Sequence, residues 1–401
     1  MSRFLFVVLP LAGHANPTWA IGQALEERGH EVAWVGSAAR LRPWLGPDAM
    51  VYPTGMRLYR GRADTGMAAV KSLWAAFLIP FARFSLPAVE QAVEAYRPDV
   101  LVVDQHALAG ALAARRRGLP WATLCTSLIE LVQPFRDLPK VEAWIGGQLA
   151  TLSAAAGLPP GPAGPPGDIG GVADGDLRFS PYLVLALTSA ALLGPGSLPD
   201  HVALVGSALC ARPAKESFQW DRFDPDRRHV LVTVGTLAED IAAESTDFYA
   251  RAVQALRLMG DRVQGIVVAP AGAIADPPEH VLVVPRAPFL ELMPHLDAVI
   301  CHGGLNTMSE ALTYGVPIVV APLTRDQPIN AAQVVATGAA VRVSFGRVSP
   351  QELRAALTAV LDDPAYRAAA RRVGDSLTAA GGAPAAAERL EWLARQSAGA
   401  G

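Results

Sequence analysis

Short apolar runs that do not alternate with polar residues recur along this chain, each followed by a stretch with helical patterning. They lie at 4–9, 31–35, 100–103, 121–125, 183–187, 202–205, 230–234, 265–268, 281–284, 298–301, 318–321 and 340–343. Strands buried on both faces look like this, and such strands belong to parallel sheets covered by helices. Helical stretches fill the gaps, for example Pro17–Arg28 before Gly29 and Leu108–Arg117 before Gly118. Glycine just past the last helical residue is the expected stop. The pattern predicts an α/β chain of repeated βα units.

The series of βα units starts twice, at Arg3–Pro10 and again at His229–Gly235. With 401 residues, two domains are expected. The reading is an N-terminal Rossmann-like domain over 1–207, a polar linker over 208–227, and a C-terminal Rossmann-like domain over 228–382. The helix and tail at 383–401 are expected to pack back toward the N-terminal domain. The segment Gly157–Gly171 is too dense in Pro and Gly for regular structure.

Three widely spaced cysteines, Cys125, Cys210 and Cys301, make neither a disulfide framework nor a zinc knuckle. They predict a reducing, cytoplasmic setting. A net charge of −3 leaves no basic surplus for nucleic acid. The opening Met1–Ala12 imitates a signal peptide, but Asn16-Pro17 behind it suits a helix start, so residues 3–9 are read as a first buried strand. No run reaches the ~18 apolar residues of a spanning helix. Tyr182–Leu193 comes nearest and contains Thr188 and Ser189.

The segment Cys301-His302-Gly303-Gly304-Leu305-Asn306-Thr307 follows a predicted strand and opens a helix. A Gly-Gly turn lets backbone approach a ligand closely. Free N–H groups and the dipole at a helix start favour a diphosphate. Glu310, four residues after Asn306, shares its helical face and suits ribose hydroxyls. An ordinary strand–Gly–helix junction would show the same spacing. Further on, the strand in Gly315–Pro322 delivers Asp326-Gln327 at its carboxyl end, where open α/β sheets hold ligands.

Taken together, Val283-Val284-Pro285-Arg286, His302-Gly303-Gly304-Leu305-Asn306-Thr307, Glu310, Gly315-Val316-Pro317 and Asp326-Gln327 resemble the nucleotide-sugar signature of family 1 glycosyltransferases. These are the macroside-type natural-product glycosyltransferases of bacteria and their plant relatives. The match covers about 45 residues, and a looser similarity of element order extends over nearly the whole chain. The resemblance implies two facing Rossmann-like domains, the GT-B arrangement, with donor in the C-terminal domain and acceptor in the N-terminal one. His302, Asn306 and Thr307, with the Gly303-Gly304 turn, should then meet the diphosphate, Glu310 the ribose, and Asp326 and Gln327 the donor sugar. Gly235-Thr236 matches a loop that also touches phosphate. The plant pattern carries Trp against the base where Val283 stands, and Gln where Arg286 stands, so the resemblance does not choose between UDP and dTDP.

In the N-terminal half, Gly13-His14-Ala15-Asn16-Pro17 follows the first strand without the glycine spacing of a dinucleotide fingerprint. A helix N-terminus beyond His14 favours the neutral imidazole, the form that takes a proton from a nucleophile. Asp104, at the end of 100–103, suits a partner that orients such an imidazole. Helix capping is the simpler reading of each residue alone. The family resemblance assigns His14 as catalytic base and Asp104 as its partner.

Trp74, Phe77, Phe81 and Phe84 stand at near-helical spacing where the family places acceptor-lining helices, and Trp144 lies beyond. Core packing is the alternative for most of that stripe. The resulting expectation is a metal-independent, inverting hexosyltransferase without cofactor. It moves sugar from a nucleotide diphosphate donor to a hydroxyl of a lipophilic natural product. A nucleotide-sugar epimerase, a non-catalytic auxiliary protein and a transferase working at a membrane surface are the competing readings.

Overall fold

The computed structural model describes residues 1–55, 66–135, 137–159, 176–210, 218–235 and 242–398. Two compact units emerge. The first takes in the described residues up to 210 together with those from Ala379 onward, and the second takes in 218–378. The Gly157–Gly171 segment lies largely outside the described residues, as does Thr236.

The first unit holds a seven-stranded parallel sheet: β1 (Arg3–Val7), β2 (Glu31–Gly36), β3 (Val51–Pro53), β4 (Val100–Asp104), β5 (Trp121–Cys125), β6 (Leu183–Ala186) and β7 (Val202–Leu204). Their order is β3-β2-β1-β4-β5-β6-β7. The opening residues are therefore a central strand. In β1 and the residues after it, Leu5, Val7 and Leu9 enter one core cluster, while Phe4, Phe6 and Val8 enter another. Successive side chains of a strand point to opposite faces, so both faces of this sheet are covered. That is why the run does not alternate with polar residues.

Helix Ala12–Glu27 begins five residues before the predicted start at Pro17. Pro17, five residues into the helix, has no N–H to give to the ladder, and the helix runs on past it to Glu27. His14 thus belongs to the first turn rather than to a preceding loop. Helix Leu108–Arg117 crosses β4 and β1 closely: a Cβ on Gly110 would lie 2.8 Å from Val103 Cγ2 and 3.0 Å from Val7 Cβ. The C-terminal helix Gly382–Ala398 supplies Ala386, Ala387, Leu390 and Leu393 to the core of this unit. It is tied to the first helix by Arg28 to Glu388 (3.1 Å) and by His30 to Glu391 (2.9 Å).

The membrane expectation needs one correction. Gly66–Tyr96 forms a continuous helical run that is long and apolar enough, by length and composition, to cross a membrane. Lys71 and Arg83 interrupt its apolar residues, so it holds no continuous apolar run of that length. Its Trp74, Phe77, Leu78, Phe81, Val89 and Val93 pack into the first unit's core, the ordinary role of a core helix. A π-helical turn, Ser72–Leu78, lies inside it. Tyr182–Leu193, expected to be the nearest candidate, is instead β6 followed by a four-residue helix.

The second unit holds a six-stranded parallel sheet: β8 (Arg228–Thr233), β9 (Val263–Val268), β10 (Val281–Val284), β11 (Ala298–Cys301), β12 (Ile318–Val320) and β13 (Ala340–Arg342). Its order is β10-β9-β8-β11-β12-β13. Both sheets reverse direction of growth once, between β1 and β4 in the first and between β8 and β11 in the second. Open α/β sheets bind ligands outside the carboxyl ends of strands at such reversals.

Candidate functional site

Each reversal point carries a histidine. In the first unit, His14 follows β1 and Asp104 ends β4, on either side of the reversal. His14 Nδ1 lies 2.7 Å from Asp104 Oδ2, although the residues are 90 apart in sequence. The Asp104 side chain is fully buried and that of His14 is 16% exposed. Burial by itself would raise the Asp104 carboxyl, but the charge and hydrogen bond of His14, followed by those of His106, bring it below its ordinary value. An ionised Asp104 accepts from Nδ1–H, which leaves Nε2 as the basic nitrogen.

The structure adds groups that the sequence reading missed. Thr126, just after β5, donates from Oγ1 to Asp104 Oδ2 at 2.9 Å and lies 2.8 Å from His14 Nδ1. The backbone N–H of His106 donates to Asp104 Oδ1 at 2.9 Å. Both carboxylate oxygens are thereby occupied. The His106 ring lies 5.8 Å from that of His14, and its Nε2 is 3.1 Å from Glu130 Oε1. His14, Asp104 and His106 are close enough together to hold a metal ion. Yet the Asp104 oxygens and His106 Nε2 already have hydrogen-bond partners, so a cation would have to break this network. The signal for Thr126 was available: it follows the strand beside β4, at a carboxyl end.

In the second unit, helix Leu305–Thr313 starts directly after β11, with Gly304 as N-cap. The first helical bond is Met308 N–H to Gly304 O at 3.1 Å, so the N–H groups of Leu305, Asn306 and Thr307 precede the ladder. His302 is buried against this turn. A Cβ on Gly235 would lie 2.6 Å from His302 Cε1, and one on Gly304 would lie 2.8 Å from His302 Nε2. Only hydrogen at these two positions leaves room for the ring. Burial pulls the His302 imidazole down to about 4, aided by Arg325 and opposed by Asp326. Its Nδ1 is buried with no partner. A neutral ring with an unused buried nitrogen is a polar group awaiting a ligand.

Asp326 and Gln327 follow β12 as expected. Gln327 is buried, and its Oε1 accepts from the N–H groups of Leu323 (2.9 Å) and Thr324 (3.1 Å). Asn330, fully buried and not foreseen, donates from Nδ2 to Asp326 Oδ2 (2.9 Å) and to Gly303 O (3.1 Å). It ties the Gly-Gly turn to the Asp326 loop. Its signal was its position four residues after Asp326, one helical turn away. Glu310 is 4% exposed on the inner side of its helix. Val283 is partly buried in β10, at the sheet edge. Trp74, Phe77 and Phe81 are buried in the first unit's core, and Trp144 packs partly buried against the same cluster.

Against known proteins, residues 259–393 match the family model of the erythromycin biosynthesis protein CIII-like C-terminal domain. The chain is 29% identical to 4'-demethylrebeccamycin synthase of Lentzea aerocolonigenes, over 98% of this chain and 99% of that one. It is 26% identical to demethyllactenocin mycarosyltransferase of Streptomyces fradiae, over 98% and 87%. The fold is that of the spinosyn rhamnosyltransferase SpnG complexed with thymidine diphosphate, with a TM-score of 0.77 at 22% identity over 98% and 100% of the two chains.

Proposed function

With the resemblance to the GT-B natural-product glycosyltransferases upheld by its C-terminal domain and its fold, we propose that this chain transfers a hexosyl group from a nucleotide diphosphate sugar to a hydroxyl of a lipophilic acceptor, with inversion. The observation that carries this reading is the His14–Asp104 pair, an imidazole whose Nδ1 is held by a buried carboxylate.

His14 Nε2 takes the acceptor's hydroxyl proton as the oxygen attacks the anomeric carbon. The new C–O bond forms as the bond to phosphate breaks, and the diphosphate leaves with the electron pair. Attack from the face opposite the leaving group inverts the centre. Asp104 keeps the base in the productive tautomer and stabilises the imidazolium. The donor cradle lies in the second unit. In that cradle, neutral His302, the first N–H groups of helix Leu305–Thr313 and its dipole take up the charge developing on the diphosphate. Glu310 serves the ribose, while Asp326 and the Gln327 amide serve the sugar hydroxyls. The SpnG relative is complexed with thymidine diphosphate, which supports a nucleoside diphosphate here and makes dTDP-sugars the first donors to test beside UDP-glucose. Cys125, Cys210 and Cys301 are not joined in disulfides, which supports a reducing, cytoplasmic setting.

We propose further that no divalent metal takes part. This reading is supported by the helix start after β11 and the buried His302, which can meet a diphosphate's charge without a cation. The test is a panel of UDP- and dTDP-sugars with mixed lipophilic aglycones, read by mass spectrometry. A glycosylated aglycone of inverted anomeric configuration is expected, at the same rate with EDTA present. Epimerised sugar without aglycone consumption would overturn the transferase reading. Turnover lost to EDTA and restored by Mg²⁺ would overturn metal independence.

A further inference from the structure

Behind the His14–Asp104 pair lies a second buried polar group that the proposed chemistry does not use. Glu130, in the short helix Ile129–Val132, is buried. Its two oxygens reach two consecutive side chains of the turn that follows β4. Oε2 accepts from Gln105 Nε2, and Oε1 lies 3.1 Å from His106 Nε2. Gln105 is bound at its other end as well, its Oε1 accepting from Ser127 N–H at 3.3 Å. Residues 105 and 106 are thus stapled to the 126–130 segment. That turn supplies the His106 N–H on Asp104 Oδ1, and the stapled segment supplies the Thr126 hydroxyl on Asp104 Oδ2.

We propose that Glu130 is a positioning residue for the base: it clamps the 104–106 turn to the 126–130 segment, so that both oxygens of Asp104 are held and Oδ2 points at His14 Nδ1. The inference rests on the assignment of His14 as base. A buried carboxylate is costly to desolvate and persists where its hydrogen bonds compensate. Here those bonds fall on the two residues following Asp104. Without Glu130, the Gln105 amide and His106 Nε2 each lose this carboxylate as a partner, and the turn is free to relax. A small displacement of Asp104 turns the His14 ring away from the geometry in which Nε2 takes the acceptor's proton.

The experiment compares Glu130→Ala and Glu130→Gln with the unaltered full chain. Initial rates are read against donor and acceptor concentration, beside thermal melting. Glu130→Ala is expected to lower kcat by about 10- to 100-fold with both KM values within about twofold of the unaltered chain, because the clamp acts on base geometry rather than on substrate contacts. Glu130→Gln keeps the shape and one acceptor oxygen, so it should recover part of that loss. Gln105→Met, close in volume but without either polar contact, reads the same clamp if Glu130→Ala does not fold. Unchanged kcat in folded Glu130→Ala or Gln105→Met overturns the proposal, and so does a loss that follows only the unfolded fraction at the assay temperature. His14→Ala, run in parallel, separates the two failures. If it retains full turnover, the base assignment falls. If it is inactive while folded Glu130→Ala turns over normally, only the clamp falls.

Discussion

His14 and His302 both follow a strand at the reversal point of a parallel sheet, His14 in the first turn of the next helix and His302 ahead of it, yet their surroundings are opposite. His14 meets an ionised, buried carboxylate at 2.7 Å and keeps part of its ring exposed. Among the described residues, no carboxylate is bonded to the His302 ring; it is packed between two glycines, with Nδ1 buried and unpartnered. The carboxylate supports a ring that gains charge during the reaction. Burial without such a bond, in contrast, keeps the ring neutral, as needed by a group that only hydrogen-bonds to an anion. The same side chain on the same kind of strand end thus becomes a base in one unit and a fixed polar contact in the other, depending on whether an acid stands behind it.

The comparison breaks most sharply at His14. His14→Ala should lower kcat by about 10²–10⁴ with the donor still bound, as read by thermal shift with nucleotide diphosphate. His302→Leu should act the other way round. It should abolish most of the nucleotide-induced thermal shift and lower kcat by about 10²–10³, the loss of one donor to developing charge. If the two variants lose the same property in the same measure, the division of roles is wrong.

A pH experiment sharpens the contrast further. Folding lowers the His302 imidazole to about 4, against about 6.5 in an unfolded chain. The unfolded chain therefore binds more protons between those values, and stability falls as pH drops through that window. Between pH 7 and 5 the protein should lose roughly 2 kcal/mol more than a His302→Gln variant, measured by urea unfolding. Equal losses would show that His302 is not buried neutral. Asp104 works in the same sense at lower pH: its depressed value favours the fold above the ordinary carboxylate range, and this contribution is lost only in stronger acid.

The smallest expected effect comes from Gly235→Ala. Position 235 has φ +66°, and its new Cβ would press on the His302 ring. Donor KM should rise about tenfold with the fold intact. An unchanged KM would mean that the ring can move aside without cost to donor binding.

Much of the fold was legible because its signals are local. Val-rich runs without alternation announced strands covered on both faces, and Phe4 to Leu9 do feed two cores in turn. Gly118 ended its helix at the predicted place, in a left-handed conformation (φ +61°). The first helix was placed five residues late because Pro17 reads locally as a helix start, whereas packing on the sheet extends the helix back to Ala12. The Gly66–Tyr96 run shows no long apolar stretch in the sequence because charges break it, and Lys71 and Arg83 are exposed in the fold.

The candidate site divides in the same way. By itself the sequence determined the residue types at strand ends and helix starts: His14, Asp104, the 302–307 turn and Asp326-Gln327. These depend on spacing within one βα unit, and neighbours along the chain carry that information. Only the tertiary structure decided that Thr126 joins His14 across 112 positions, that Glu130 reaches Gln105 and His106, and that Asn330 ties Asp326 to Gly303. It also decided the protonation of His302, because desolvation depends on every element packed around the ring. Long-range pairing and local dielectric are properties of the folded packing, and no window of sequence contains them.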